Sequence, residues 1–388
     1  MTTTNSCYPI QDAMQRFFPS YDAENAVSTE QGNAAVSIMA CKTGKLGYSV
    51  STCEDCGYKL IHNRSCNNRN CPCCQGYLQD VWVDARNSEM ISTISYFHVI
   101  FTVPAELNAL IYRNQKQLYT LLFHTTSKTL LELSADPEYL GAEPGIVSVL
   151  HSWGANLSYH PHIHALVSGG GLTSVNQFKT TSHKDFFLPV AVISRLFRGK
   201  FLAELKKLYE QHKIEFPESH RKLHNTYEWK EFIDQLYTKE WVPFIKETFN
   251  GNGNAIKYLA RYAYRTAISN RRIIEVTDET VTFEYKNYKK GGTMETMTLD
   301  GHEFVHRFLM HILPKGFTRI RFSGYLSNCK KSRCLKLIRK RTGSIEIRSK
   351  LKGLSTPELM LELYQVDLTH CPCCNKTLKI RQVMQMRH

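Results

Sequence analysis

Three groups of residues in this chain have the types and spacing to do chemistry. The first is Tyr159-His160-Pro161-His162-Ile163-His164-Ala165-Leu166-Val167. At the period of two of a β-strand, His162 and His164 point to one face and Ile163 to the other. Imidazole binds divalent metals well, and two imidazoles from one strand need only one or two further ligands. His-x-His alone would read as a pair of surface histidines. Here Pro161 fixes the strand entry, His160 adds a third imidazole, and His151 lies on the strand-like run 146–152 just upstream. A turn at Trp153-Gly154 would fold the two runs into a hairpin and bring His151 beside His162 and His164.

The second group is Lys257-Tyr258-Leu259-Ala260-Arg261-Tyr262-Ala263-Tyr264-Arg265. On a helix, Tyr258 and Tyr262 share a face, and Lys257, Arg261 and Arg265 form a basic ridge beside them. A tyrosine pair at this spacing usually packs in a core. Next to a basic ridge it has a second use: cations lower a phenol's pKa from its usual value of about 10 and also hold a phosphate. A metal at the histidine strand would polarise that phosphate for attack. Tyr264, two residues beyond Tyr262, faces away and is expected to be structural.

The third group is the cysteines. Cys53-x2-Cys56 and Cys71-x2-Cys74 are separated by fourteen residues, close to the spacing at which two knuckles build one tetrahedral zinc site. Gly57 and Pro72 suit the turns. Cys66 and Cys73 are spare thiols in the cluster, Cys41 lies upstream, and Cys66 is the candidate replacement for one ligand. Arg64, Arg69 and Asn70 between the knuckles suggest contact with DNA. The tail sequence Cys371-Pro372-Cys373-Cys374 echoes Cys71-Pro72-Cys73-Cys74, with His370, Cys329 or Cys334 as candidates to complete a second site.

The 388-residue chain is long enough for two or three domains, and 42% hydrophobic residues support a substantial core. A net charge of +14 favours a polyanionic partner, nucleic acid before an anionic membrane surface. No apolar run spans a bilayer and the first residues are polar and uncharged, so no membrane partner and a cytoplasmic location are expected. Thiols stay reduced there, and thirteen cysteines then suggest metal binding rather than disulfides. The chain lacks a Gly-x-x-x-x-Gly-Lys-Ser/Thr loop and a dinucleotide fingerprint, which argues against an NTP-driven motor or hydride chemistry.

The surrounding elements follow from periodicity. Gln11 to Phe18 reads as a short helix ended by Pro19. Residues 76–90 and 105–133 read as helices, Tyr96 to Val103 as a core strand, and Gly169-Gly170-Gly171 as a turn closing the histidine strand. Residues 190–249 read as mainly helical, 273–300 as a hairpin, and Glu303 to Leu313 as a helix. Arg319 and Arg321 lie in the run Pro314 to Phe322 that follows and are expected to bind DNA. Residues 329–350 carry nine Lys or Arg against the one acid Glu346, which suggests a further backbone-binding surface.

Together the ordered motifs resemble the transposases of rolling-circle insertion sequences, the two-tyrosine HUH type with an N-terminal zinc-binding domain. The resemblance rests on Cys53 to Gln75, Phe97 to Pro104, Leu150-His151 through His164, Tyr258 to Tyr262, Ile268 to Arg272, Glu303 to Leu309, and Leu313 to Phe317. It implies an α+β fold, a nuclease core of antiparallel sheet with flanking helices. The expected division is an arm (1–35), a zinc-binding domain (36–90), a nuclease domain with the tyrosine helix (91–275), and a basic C-terminal region (276–388). His162 and His164, with His151 as third ligand, would hold Mg2+ or Mn2+, and Zn2+ would be structural. Tyr258 and Tyr262 would be nucleophiles that nick and rejoin single-stranded DNA at element ends and target through a 5′-phosphotyrosine link. That link conserves the phosphodiester energy. Strand displacement would fall to a host helicase or polymerase, and the DNA-bound protein would be nucleoid-associated. The same residues leave a plasmid replication initiator or relaxase, a non-catalytic zinc-dependent DNA-binding protein, and a water-using phosphohydrolase as alternatives. One departure is Asn70, where relatives often have histidine before Cys-Pro.

Overall fold

A computed structural model describes residues 8–181, 188–241, 244–247, 256, 259 and 267–384. The helices are α1 (Pro9–Glu24), α2 (Thr29–Ala40), α3 (Gly76–Asn87), α4 (Asn108–Arg113), α5 (Gln115–Ala135), α6 (Val190–Glu210), α7 (Thr226–Thr238), α8 (Gly301–Leu309), α9 (Lys331–Thr342) and α10 (Thr356–Tyr364). The strands are β1 (Tyr48–Cys53), β2 (Lys59–Asn63), β3 (Tyr96–Thr102), β4 (Glu143–Trp153), β5 (Tyr159–Leu172), β6 (Phe178–Thr180), β7 (Phe244–Glu247), β8 (Ile273–Val276), β9 (Thr280–Asn287), β10 (Thr293–Asp300), β11 (Ile320–Gly324) and β12 (Leu378–Met384). The fold is α+β, with antiparallel sheets and flanking helices.

The central sheet has the order β11-β4-β5-β3-β7, with β6 against the end of β5. Its strands are apolar on both faces, as covered strands are. One face sends Phe97, Val99, Phe101, Ile163, Ala165 and Val167 into a core made with α5 and α6, through residues such as Leu122 and Phe197. The other face sends Val147, Val149 and Leu166 against Trp82 of α3, Leu335 and Ile338 of α9, and the described residues Ile256 and Leu259. The histidines lie on this second face, His164 opposite Val149 and Ile100 and His162 opposite His151 and Thr102. A second core joins α1 and α2 to α8 and the β10-β9-β8 sheet. The third sheet, β12-β1-β2, pairs the C-terminal strand with the N-terminal zinc module.

Several expectations need correction. Helix α1 runs through Pro19 to Glu24. Its buried face continues past the proline to Tyr21, whose hydroxyl meets Nδ1 of His306 at 2.8 Å. Packing on both sides of Pro19 offsets the lost backbone bond, worth roughly 3 kcal/mol. Over the described part of residues 1–35, α1 and the start of α2 pack into the core shared with α8. The helix expected over 105–133 breaks at Asn114, which donates from Nδ2 to the carbonyls of Leu110 and Glu215 and accepts from the Glu215 backbone N–H. Residues 244–247 form a strand on β3, not helix.

The triple glycine continues β5 instead of closing it. A Cβ on Gly171 would lie 2.4 Å from the Glu143 carbonyl oxygen, and one on Gly170 2.6 Å from the Phe178 ring. Glycine is there because β4, β5 and β6 close tightly. The C-terminal region is tied to α3, the residues just after it and β1. Lys331 pairs with Glu89 at 2.6 Å, the Tyr364 hydroxyl donates to Asp80 on α3, and β12 pairs with β1. Among the described residues, no helix is long and apolar enough to cross a membrane.

Candidate active site and metal centres

The β4–β5 hairpin aligns His151 opposite His162, and β5 places His164 two residues further along the same face. The three rings offer nitrogens that all lie within 4.8 Å of one another. Nδ1 of His162 lies 2.7 Å from the His160 carbonyl oxygen. A carbonyl only accepts, so that contact holds the His162 proton on Nδ1 and leaves Nε2 a lone pair. Nε2 of His162 and Nε2 of His164 are 3.0 Å apart. Two nitrogens bound at right angles to one ion, each at about 2.1 Å, would show this separation. His151 closes the group, its ring 4.7 Å from that of His164 and stacked on Trp153 at 4.3 Å.

Burial keeps His162 and His164 neutral, the form in which an imidazole binds a metal. It pushes His162 down to about 3 and His164 well below its ordinary value, with neighbouring histidines adding to the effect. The donor set and its protonation therefore fit a divalent cation.

His98 of β3 belongs to the site as well. Its Nε2 lies 2.9 Å from Nδ1 of His164, with the rings stacked at 5.0 Å. With the His164 proton on Nδ1 donated to His98, Nε2 of His164 faces His162 as a lone pair. Outer partners of this kind orient metal-binding histidines and are typically worth 10–100-fold in metal affinity. Replacing His98 with leucine should weaken Mn2+ binding by about that factor while the sheet stays folded. Calorimetric titration of Mn2+ checks it, and unchanged affinity would remove His98 from the site. The signal was available in the sequence, as a single imidazole inside the apolar run Phe97-His98-Val99.

His311 lies nearby, between Ser152 Oγ at 3.2 Å and the Leu157 carbonyl at 3.1 Å. Desolvation pushes it down to about 4, against the Leu157 hydrogen bond, with Arg319 adding repulsion. It holds the β4–β5 connection closed and stays neutral while doing so.

The cysteines regroup. Cys41, Cys66, Cys71 and Cys74 converge in one cluster, and Cys53, Cys56, Cys371 and Cys374 in another. The single site expected from Cys53, Cys56, Cys71 and Cys74 is not formed. The reason is the β1–β2 hairpin, which carries Cys53 and Cys56 at its tip. Six strand residues at about 3.3 Å each place that tip roughly 20 Å from the base, where Cys41 and Cys66 flank the hairpin. Cys71 and Cys74 join the base. In that cluster Cys66 and Cys74 sulfurs are 3.8 Å apart, and backbone N–H groups of Cys66, Asn68 and Cys73 donate to the sulfurs of Cys41, Cys66 and Cys71. Hydrogen bonds from Cys41, Cys66 and Cys71 hold Cys74 far below an ordinary thiol, while Cys71 is pushed far above it. The group already shares protons that a dication would displace. Asn70 is buried beside it and is not needed as a ligand.

Arg319 also differs from expectation. Arg319 is buried, with its guanidinium over Trp153 at 5.7 Å and Nη2 3.5 Å from Asn70 Oδ1. Arg321 lies over Phe123 at 4.5 Å and Phe317 at 5.3 Å and donates to Thr120 Oγ1. Aromatic faces hold both cations, and burial takes Arg319 off the surface where DNA contact was expected, while Arg321 stays partly exposed. Tyr258, Tyr262, Tyr264, Lys257, Arg261 and Arg265 lie outside the described residues.

Residues 145–333 match the family described as "Putative transposase", and residues 13–103 match the family described as "Transposase zinc-binding domain" of the IS91 type. The chain is 37% identical over 373 residues to "Putative transposase y4qJ" of Sinorhizobium fredii, covering 95% of this chain and 93% of that protein. The chain belongs to the IS91-type insertion-sequence transposases. It is also 27% identical over 298 residues to the "Transposase for insertion sequence element IS801" of Pseudomonas savastanoi pv. phaseolicola, covering 75% of this chain and 69% of that one. No solved structure is significantly similar.

The transposase is thus a DNA-binding enzyme that cleaves and joins DNA strands during transposition. The matched zinc-binding domain contains Cys41, Cys66, Cys71 and Cys74 whole, and structural zinc belongs there.

Proposed function

We propose that this transposase nicks and rejoins single-stranded DNA at the ends of its element, with Tyr258 and Tyr262 as nucleophiles beside the His151, His162 and His164 site. The observation that carries the reading is the placement of Ile256 and Leu259, which are buried on the histidine face of the sheet with Val149 and Leu166. These are the two described residues of the tyrosine stretch, and they bracket Tyr258.

The imidazoles would hold Mg2+ or Mn2+, nitrogen donors favouring Mn2+, and the bound cation would withdraw charge from the scissile phosphate. His98 and the His160 carbonyl fix which ring nitrogens carry protons, so the lone pairs stay aimed inward. A tyrosine oxygen attacks phosphorus, its proton passing to solvent. The bond to the 3′-oxygen breaks, and that oxygen leaves as a free 3′-hydroxyl after taking a proton. The 5′ end stays on the tyrosine. A 3′-hydroxyl then attacks the phosphotyrosine and restores the phosphodiester and the phenol. Two tyrosines allow a second cleavage while the first link persists. Lys257, Arg261 and Arg265 would hold the strand's phosphates, as would Arg333, Lys336 and Lys340, exposed on α9. Separation of the duplex would come from a host helicase or polymerase.

The test is a denaturing gel of whole protein with end-labelled single-stranded DNA from the element terminus and Mn2+. Wild type should give a covalent protein–DNA band, and Y258F/Y262F should give none while Y264F does. Cleavage by Y258F/Y262F without an adduct would replace this reading with water-dependent hydrolysis. A loss confined to Y264F would reassign the nucleophile.

A further inference from the structure

The cluster at the tip of the β1–β2 hairpin joins opposite ends of the chain. Cys53 and Cys371 sulfurs face Cys374 and Cys56 at 3.4 and 3.5 Å, and Cys56 and Cys374 are 3.6 Å apart. Four thiolates around one Zn2+, each at about 2.3 Å, sit roughly 3.8 Å from one another. All four cysteines are free thiols.

The two halves of this cluster are built alike. In the first, Gly57 N–H donates to the Cys53 carbonyl and Cys53 N–H to the Tyr58 carbonyl. In the second, Asn375 N–H donates to the Cys371 carbonyl and Cys371 N–H to the Lys376 carbonyl. Gly57 and Asn375, each four residues after its first cysteine, have φ of +70° and +57°. The pairing below each turn has the same register, Thr52 opposite Lys59 and His370 opposite Thr377. Two chain segments more than 300 residues apart therefore form a matched pair of cysteine knuckles.

Among its described residues the β12-β1-β2 sheet has a small apolar core. Its buried apolar group there is Cys53, Cys371 and Leu378, with Tyr58 and Leu60 partly covered, while Ile61 and Ile380 are exposed. A three-stranded sheet with so small a core needs a staple, and a metal is the staple its residues supply.

We propose that Cys53, Cys56, Cys371 and Cys374 bind a second Zn2+, which clasps the C-terminal strand to the N-terminal module. Binding replaces the thiol protons, which pass to the buffer. The clasp fixes the far end of the segment that carries basic helix α9, whose near end is held on α3. Cys56 and Cys374 are exposed, whereas Cys41, Cys71 and Cys74 are buried. The clasp zinc is therefore the first to leave.

Whole protein should contain two zinc ions per chain by elemental analysis, and C371S/C374S should contain one. C373S, beside the cluster but outside it, should keep two. A chelator should remove zinc from wild type in two phases, the first absent from C371S/C374S. Hydrogen exchange gives an independent reading. The amides of β12 should lose protection in C371S/C374S and after the first chelation phase, while α5 and β5 keep theirs. One zinc per wild-type chain, or two in C371S/C374S, would overturn the proposal. So would a β12 that stays protected in the variant while α5 shows it folded.

Discussion

A His162→Ala chain is expected to cleave single-stranded DNA about 10³-fold more slowly than wild type, a loss of about 4 kcal/mol in transition-state stabilisation. Two consequences of the geometry produce it. One of three converging nitrogens is lost, and the 3.0 Å Nε2–Nε2 pair that fits a shared cation no longer exists. His164 retains its contact with His98, but a single imidazole from β5 with His151 holds a cation weakly. Folding should suffer much less. The change uncovers the His160 carbonyl, at a cost of about 1–3 kcal/mol. The Phe97, Phe101 and Ile163 face of the sheet is untouched. Single-turnover cleavage with increasing Mn2+, alongside thermal melting, separates the two effects. A folded His162→Ala chain cleaving within tenfold of wild type would remove the histidine face from the chemistry.

The histidine site was legible in the sequence because strand periodicity is local. Two residues in a row of alternating side chains share a face whatever the rest of the chain does. The hairpin that brings in His151 was also local, since only a short turn separates the runs. His98 was harder because it comes from β3, which meets β5 only through long-range pairing. The cysteines show the limit most clearly. Cys53-x2-Cys56 and Cys71-x2-Cys74 have the spacing of a single site, but a strand pair lies between them and makes two ends of what looks like one loop. The partners of Cys53 come from residue 371 onward, a distance along the chain that no spacing rule addresses. Arg319 misled for a related reason. Net charge favours a polyanion as partner, but Arg319 is buried over Trp153. Pro19 and the triple glycine were read by propensity, which tertiary packing overrode.

Removing the inner zinc should have the larger structural effect, and it should reach the nuclease site. Cys71 is fully buried, its sulfur receives the Cys73 N–H, and it packs in the core that joins α1 and α2 to α8. Zinc bound by four thiolates in small modules contributes roughly 10–16 kcal/mol of apparent binding energy at pH 7. A whole domain is stable by only about 5–15 kcal/mol. Cys71→Ser should therefore cost on the order of 5 kcal/mol or more and lose the inner zinc. The exposed Cys373→Ser should stay within about 0.5 kcal/mol of wild type. The damage has a route inward. Arg69, beside Cys71, donates to the carbonyls of Phe317 and Pro314 at 2.6 and 3.1 Å. Asn70 accepts from Arg319, Arg319 covers Trp153, and Trp153 stacks on His151. Arg319 also accepts the Leu150 N–H at 3.0 Å, one residue before His151. Loss of the inner zinc should then loosen the third imidazole as well as the N-terminal core. Mn2+ affinity of Cys71→Ser should fall, whereas C371S/C374S, which opens only the outer clasp, should leave it unchanged. Equal Mn2+ affinity in wild type and a zinc-depleted Cys71→Ser chain would show that the two centres stand independently.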